Sequence, residues 1–383
     1  MRRGPTPGCL RGRSSRYPAF LALATVLVAG CSDDTVAGPP ASSLQRFVDS
    51  LANAYDLPGL VVAVRRAGEE PSVTASGRAD LGNGRRMAPV DRFRIASLTK
   101  PMVGTVILQL ADEGRLSLDD ALSRFVPDLL PDADRITLRQ LLNHTSGVAD
   151  YLDNQDFIDA VLAQPDRVWT PQELVAIGNA MPRSFAPGAA GRWEYSNTNY
   201  ILLGLVAEEA GGEPIGTLLQ RRVFDPLAMT STYFSTQTSL LAPFAQGYVD
   251  LNLLLDFPVG TVLSPTVAGA AGAVVSTAGD LLRFVEALAA GELVSSASQA
   301  ARLTTVPASR VQLPGGSIVF EYGLGVLVGD GWIGHDGAIP GYEAQAYAKM
   351  GVGALAVLVN KSTVNFAVLP ISIAVRNRTF GLQ

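Results

Sequence analysis

From Ser43 onward the apolar positions fall first at helical and then at strand spacing. In SLQRFVDSLANAY, residues 43–55, Leu44, Phe47, Val48, Leu51 and Ala52 share one face at three- and four-residue intervals, which predicts an amphipathic helix. GLVVAVRR and SVTASGRAD follow as two β-prone runs separated by AGEEP, the pattern of a hairpin. From Ser97 to about Ala290 helical patterns dominate. Met102, Val103, Val106, Ile107, Leu110 and Ala111 repeat at three and four, and Gly114 is expected to stop that helix. Strand-like text returns late, as EYGLGVLVGDGWIGHDG, YEAQAYAKM and GALAVLVN, and FAVLPISIAVRNRTF then predicts a helix with Pro370 near its first turn. The expected fold class is α/β, of the α+β kind: one antiparallel sheet of two early and three late strands, flanked by terminal helices, with a large helical region inserted. One domain is expected over 43–383, with 43–96 and 300–383 supplying the sheet and 97–299 the helices.

Residues 1–30 carry a different pattern. Five arginines and no acid precede an apolar run from Pro18 to Gly30. That run is shorter than the roughly 20 residues that span a bilayer, so a secretory signal is expected. Val28-Ala29-Gly30-Cys31 resembles the bacterial lipobox, which implies lipidation of Cys31 and a membrane anchor in the cell envelope. Residues 31–42, rich in Pro, Gly and Ser, are expected to form a flexible tether. With Cys9 in the signal and Cys31 lipidated, no disulfide remains, and the fold must rest on its core. At 383 residues and 48% apolar, the chain is long enough to build one.

Charge narrows the partners. The formal net charge of −5 becomes −10 once residues 1–30, which hold five of the 30 basic residues, are removed. Such a surface repels phosphate backbones, so no nucleic-acid partner is expected. With His144 and His335 as the only histidines and no HExxH spacing, neither a zinc site nor another cofactor is expected. Oligomeric state is left open.

Three short motifs carry candidate chemistry. In RIASLTKPMV, Ser97 and Lys100 stand three apart where a loop enters a predicted helix, so one helical turn brings the ammonium to the hydroxyl. A free serine needs a base or a positive field to attack, and a buried lysine supplies either. The plainer alternative is a helix-capping serine with a solvated lysine. In WEYSNTNY, Tyr195 is a candidate general base, as a tyrosinate beside a lysine, and Asn197 can orient both lysine and substrate. In IGHDGAIPGY, His335 and Gly337 are expected on a strand, with glycine allowing substrate close to the backbone. The N–H groups of Ala338 and Ser97 form a candidate oxyanion hole.

The order S-x-x-K, Y-x-N, then H-x-G resembles the serine β-lactamase and penicillin-binding superfamily, in particular the branch of class C β-lactamases, D-alanyl-D-alanine carboxypeptidases and related esterases. ITLRQLLNHTSGVADY and GAAGAVVSTAGDLLRF are similar to supporting segments of that branch. The resemblance implies Ser97 as acylated nucleophile, Lys100 as its activator and Tyr195 as general acid or base. It also implies Asn197, His335, Gly337 and Ala338 at the substrate. The implied substrates are small molecules or peptides: peptidoglycan-type peptides, β-lactams or small esters, with a non-catalytic wall-fragment binder as the alternative. Asp336 stands where penicillin-binding relatives commonly carry Thr or Ser, and a second carboxylate there is expected to repel an anionic substrate end. His144, remote in sequence from the three motifs, is expected to bond backbone groups at a helix end.

Overall fold

The computed structural model describes residues 43–250, 256–313, 316–362 and 367–381; the expected signal, tether and Cys31 lie outside the described residues. Eight strands form one antiparallel sheet in the order 72–77, 59–66, 353–359, 342–349, 332–339, 327–329, 316–322, 306–313. The early hairpin therefore pairs with the last strand, Leu60 opposite Val359 and Val64 opposite Leu355.

Alternation along these strands explains their composition. In 353–359, Ala354, Ala356 and Leu358 enter one core while Leu355, Val357 and Val359 enter another. A sheet covered on both faces reads as a continuous apolar run, which is why GLVVAVRR and GALAVLVN lack polar alternation. One face is covered by the terminal helices Ser43–Ala54 and Val368–Phe380, through Val48, Leu51, Ile371 and Val375. The other carries Ala63, Ala344, Ala346, Ala354 and Ala356, small side chains that admit the helix Ala278–Ala290 closely.

Two features depart from expectation. EYGLGVLVGDGWIGHDG is not one run: it ends the 316–322 strand and then folds back as 327–329 and 332–339. The turn between them is Asp330-Gly331, both at positive φ, +52° and +77°, the hairpin conformation that Asp-Gly favours. A further hairpin, Val306–Leu313 with Gly316–Tyr322, extends the sheet beyond the five expected strands.

Candidate active site

Ser97 sits in a single 3-10 turn, Ala96–Leu98, that runs into the helix Thr99–Asp112. The entry is fixed on both sides. Phe93 and Arg94 pair with Ser276 and Val275, the Ile95 N–H donates to the Val274 carbonyl, and the Val274 N–H donates to Thr99 Oγ1 at 3.1 Å. Ala96 is held at φ +48°, a region disfavoured for a residue with a Cβ. The helix is buried almost all round, so it runs through the core, and Lys100 within it is fully buried. No side chain caps this helix: Leu98 is its N-cap. The Ser97 hydroxyl instead receives Lys100 Nζ at 2.9 Å, which excludes the capping alternative.

Lys100 Nζ also donates to Asn197 Oδ1 at 2.7 Å and to the Ala271 carbonyl at 2.9 Å. Its three donors thus meet three acceptors. Asn197 Nδ2 in turn donates to Asp150 Oδ2 at 2.7 Å, giving a chain Ser97, Lys100, Asn197, Asp150. Asn197 opens the helix Asn197–Gly211, and Tyr195, just before it, hydrogen-bonds Ser97 and lies with its ring centroid 4.8 Å from Lys100 Nζ. Segment 144–151 is laced to this helix start. Ser146 Oγ donates to Asn199 Oδ1, Thr198 Oγ1 donates to the Ala149 carbonyl, and the Tyr151 N–H donates to Thr198 Oγ1. Gly147, at φ +71°, allows the crossing, since a Cβ there would fall 2.0 Å from the Phe185 carbonyl oxygen.

The strand 332–339 forms the opposite wall. Its alternation puts Ile333 and Ile339 in the core beneath the active site and Trp332 in the core under the terminal helices. His335 and Gly337 share the first face. A Cβ on Gly337 would lie 2.2 Å from the Ile95 carbonyl oxygen and 3.3 Å from the Ser97 nitrogen, so only glycine lets the strand run this close. Ala338 follows on the same seam, with its side chain exposed. Asp336 points to the other face, opposite Gln345, where Tyr347 donates its hydroxyl to the carboxylate. The expected repulsion of an anionic substrate by Asp336 therefore does not arise: the sheet lies between them.

His335 does not join the bonds around Ser97. Its Nδ1 faces the Asp336 carbonyl, which can only accept, so Nδ1 carries the proton and Nε2 accepts from the Tyr322 hydroxyl at 2.8 Å. Burial, with Lys100 nearby, holds its pKa at about 3, so the imidazole is neutral. Its ring centroid is 6.3 Å from that of Tyr195. Burial lowers Lys100 to about 7, opposed by the Asp150 carboxylate. Burial also pushes the Tyr195 phenol well above its ordinary value, with the Ser97 hydrogen bond opposing, and raises the Asp150 carboxyl. The expected tyrosinate is thus the harder ionisation of the two. Lys100 is the group that can exchange its proton near neutral pH.

Ser97, Lys100, Tyr195 and Asn197 are thus brought together by direct contacts, Gly337 abuts the nucleophile, and His335 is linked through Tyr322 and ring packing. Two residues went without a role in the sequence: Asp150 and Tyr322. His144 bonds a backbone group at a helix end, as expected, receiving the N–H of Ser196 at the start of Asn197–Gly211, and its ring also lies 4.4 Å from that of Tyr195. Among the described residues no group of His, Cys, Asp and Glu is arranged to hold a metal ion.

A serine and a buried lysine at the head of a core helix, faced by a Tyr-x-Asn turn and a glycine-bearing strand, define a β-lactamase-like serine hydrolase fold. The Beta-lactamase family profile matches residues 44–376, and the chain belongs to that family. It is 29% identical to the putative penicillin-binding protein PbpX of Bacillus subtilis (strain 168), over 75% of this chain and 66% of the relative. It is 31% identical to esterase EstB of Burkholderia gladioli, over 68% of this chain and 74% of that one. D-amino acid amidase from Ochrobactrum anthropi SV3, solved with L-phenylalanine amide, superposes with a TM-score of 0.76 at 29% identity, covering 88% and 98% of the two chains. The family's hydrolytic members mark this protein as a β-lactamase-related serine hydrolase.

Proposed function

We propose that the protein hydrolyses uncharged esters or amides through an acyl-enzyme on Ser97. The observation that carries this reading is the fully buried Lys100 Nζ, 2.9 Å from Ser97 Oγ and 2.7 Å from Asn197 Oδ1. In its neutral form Lys100 takes the Ser97 proton as Oγ attacks the acyl carbon. The oxygen of the tetrahedral intermediate is received by the N–H groups of Ser97 and Ala338, a type of contact worth about 10²- to 10³-fold in rate. Tyr195 passes its hydroxyl proton to the departing alcohol or amine and regains one from the Lys100 ammonium. Water then repeats the sequence on the acyl-enzyme, releasing the acid and restoring Ser97.

The preference for an uncharged substrate comes from the cations. Among the described residues, Lys100 is the only cation bonded to the Ser97, Tyr195 and Asn197 cluster, and its three donors are taken. His335 is neutral and bonded to Tyr322. A terminal carboxylate, as in penicillins or D-alanyl-D-alanine peptides, finds no charged partner in that cluster, whereas an ester or amide needs none. The similarity to an esterase and to a D-amino acid amidase supports this substrate class, and the similarity to a penicillin-binding protein supports the other. The basic, apolar start of the chain and Cys31 support export and a lipid anchor in the cell envelope.

The test compares turnover of p-nitrophenyl acetate, phenylalanine amide and penicillin, with mass spectrometry of the protein after each. Rapid ester or amide turnover with slow penicillin acylation, all lost in Ser97→Ala, is expected. Faster acylation by penicillin than by the ester overturns the substrate assignment. Unchanged turnover in Ser97→Ala overturns the nucleophile.

A further inference from the structure

His144 is a buried titratable group that the chemistry above does not use. It follows the short helix Leu138–Leu142, at φ +60°, and is fully buried. Its Nδ1 receives the backbone N–H of Ser196 at 3.2 Å and lies 3.2 Å from Asn199 Nδ2, a donor. Two donors onto one nitrogen require that nitrogen to be unprotonated, so the proton sits on Nε2. Nε2 has no hydrogen-bond partner. An imidazole kept only for its polar bonds would be expected to satisfy both nitrogens.

What surrounds the ring is aromatic. Tyr195 lies at 4.4 Å between centroids with planes tilted by 36°, Tyr322 at 4.7 Å, Tyr200 at 5.4 Å and Trp193 at 6.0 Å. Offset and edge arrangements at these separations are favourable ring contacts. His144 thus grips the Tyr195 segment twice, by its nitrogen on the neighbouring Ser196 N–H and by its face on the phenol ring. Its own carbonyl adds a third hold, accepting from the Glu194 N–H at 3.2 Å. The bonds fall on residues 194 and 196, and the ring contact falls on 195 between them.

We infer that His144 is a positioning residue for Tyr195: as a neutral imidazole it fixes the phenol so that its hydroxyl points at Ser97. The charged and titratable groups facing it are Lys100, His335, Tyr195, Tyr200 and Tyr322. Burial, then Lys100, then His335 keep it unprotonated. Neutrality matters to the geometry, because a proton on Nδ1 would face the Ser196 N–H and break the grip.

This inference rests on the Ser97 acyl-enzyme with Tyr195 as its proton carrier, and the test separates the two. His144→Asn keeps a side-chain acceptor and a residue that tolerates positive φ, but removes the ring. His144→Phe keeps the ring and removes the nitrogen. Each is measured on p-nitrophenyl acetate alone and combined with Tyr195→Phe, with melting curves to confirm folding. The expected result is a fall in kcat of about 10- to 100-fold, a KM changed less than about threefold, and no further loss when Tyr195→Phe is already present. Unchanged kcat in both folded variants overturns the inference, as does a full multiplicative loss on top of Tyr195→Phe. If only one variant folds, the same comparison in that variant decides. Turnover surviving in Ser97→Ala instead condemns the acyl-enzyme reading, whatever the His144 variants do.

Discussion

The proton on Lys100 offers the sharpest handle on the chemistry. If the neutral amine is the base, kcat/KM must rise with pH through the Lys100 pKa of about 7. A single ionisation there gives roughly one-tenth active enzyme at pH 6 and nine-tenths at pH 8, about a tenfold rise. Asp150 opposes deprotonation. Its carboxylate is separated from Lys100 by the Asn197 amide, through two bonds of 2.7 Å. With the amide between, the charges are at most about 8 Å apart, which at an effective dielectric of about 20 is worth about 2 kcal/mol, or about 1.5 pKa units. The carboxylate raises the lysine's pKa, so removing it must lower that pKa and make the neutral form available in more acid solution. Asp150→Asn should therefore move the acid limb of kcat/KM down by about one unit, allowing for partial protonation of the buried carboxyl itself. The assay is the pH profile of p-nitrophenyl acetate hydrolysis from pH 5 to 9 in both proteins. A limb that stays put, or that moves upward, refutes Lys100 as the base and the relay through Asn197.

Other consequences can be checked independently. Gly337→Ala should lower kcat at least about 100-fold in a folded protein, because a Cβ 2.2 Å from the Ile95 carbonyl oxygen must push the strand from Ser97, as stopped-flow acylation would report. Asp336→Asn should leave kcat/KM within about threefold, since the carboxylate faces away from the nucleophile; a larger gain with a carboxylate-ended substrate would show that it reaches the site. Stability should fall on mild acidification. His144 and His335 are held neutral when folded, whereas unfolded histidine binds a proton below about pH 6.5, so each costs up to about 1.4 kcal/mol per pH unit below that value. For His335 the loss ends near its folded pKa of about 3. Urea midpoints at pH 7 and pH 5 measure the drop, which the raised carboxyls of Asp336 and Asp150 offset in part by binding protons in the folded state, and a higher midpoint at pH 5 would contradict burial of both rings.

What the sequence disclosed were features that reside in local spacing. Ser97 and Lys100 are one helical turn apart, Pro101 lies in the first turn, and the terminal helices and central strands follow their apolar periods. The 306–313 and 316–322 strands were harder to see because Pro307, Pro314 and Gly315 interrupt their runs. Asp330-Gly331, a hairpin dipeptide, marks the fold-back locally. The two-residue alternation of a strand likewise sets Asp336 on the face opposite His335 and Gly337. Asp150, Tyr322 and His144 had no such mark. Their roles come from convergence: Asp150 meets Asn197 across 47 residues and His144 meets Ser196 across 52. The tyrosinate expectation failed on burial, which favours the uncharged phenol and the uncharged amine alike.

The junction of strand 59–66 with strand 353–359 sets a schedule for folding. A nascent polypeptide stopped short of residue 353 would already contain Ser97, Lys100 and Tyr195, yet the early hairpin would lack the neighbour that joins it to the wall bearing Gly337. Such distant pairings form slowly. The catalytic apparatus should therefore mature only after nearly the whole chain has been made, leaving an interval in which the polypeptide is still loose enough to be threaded elsewhere.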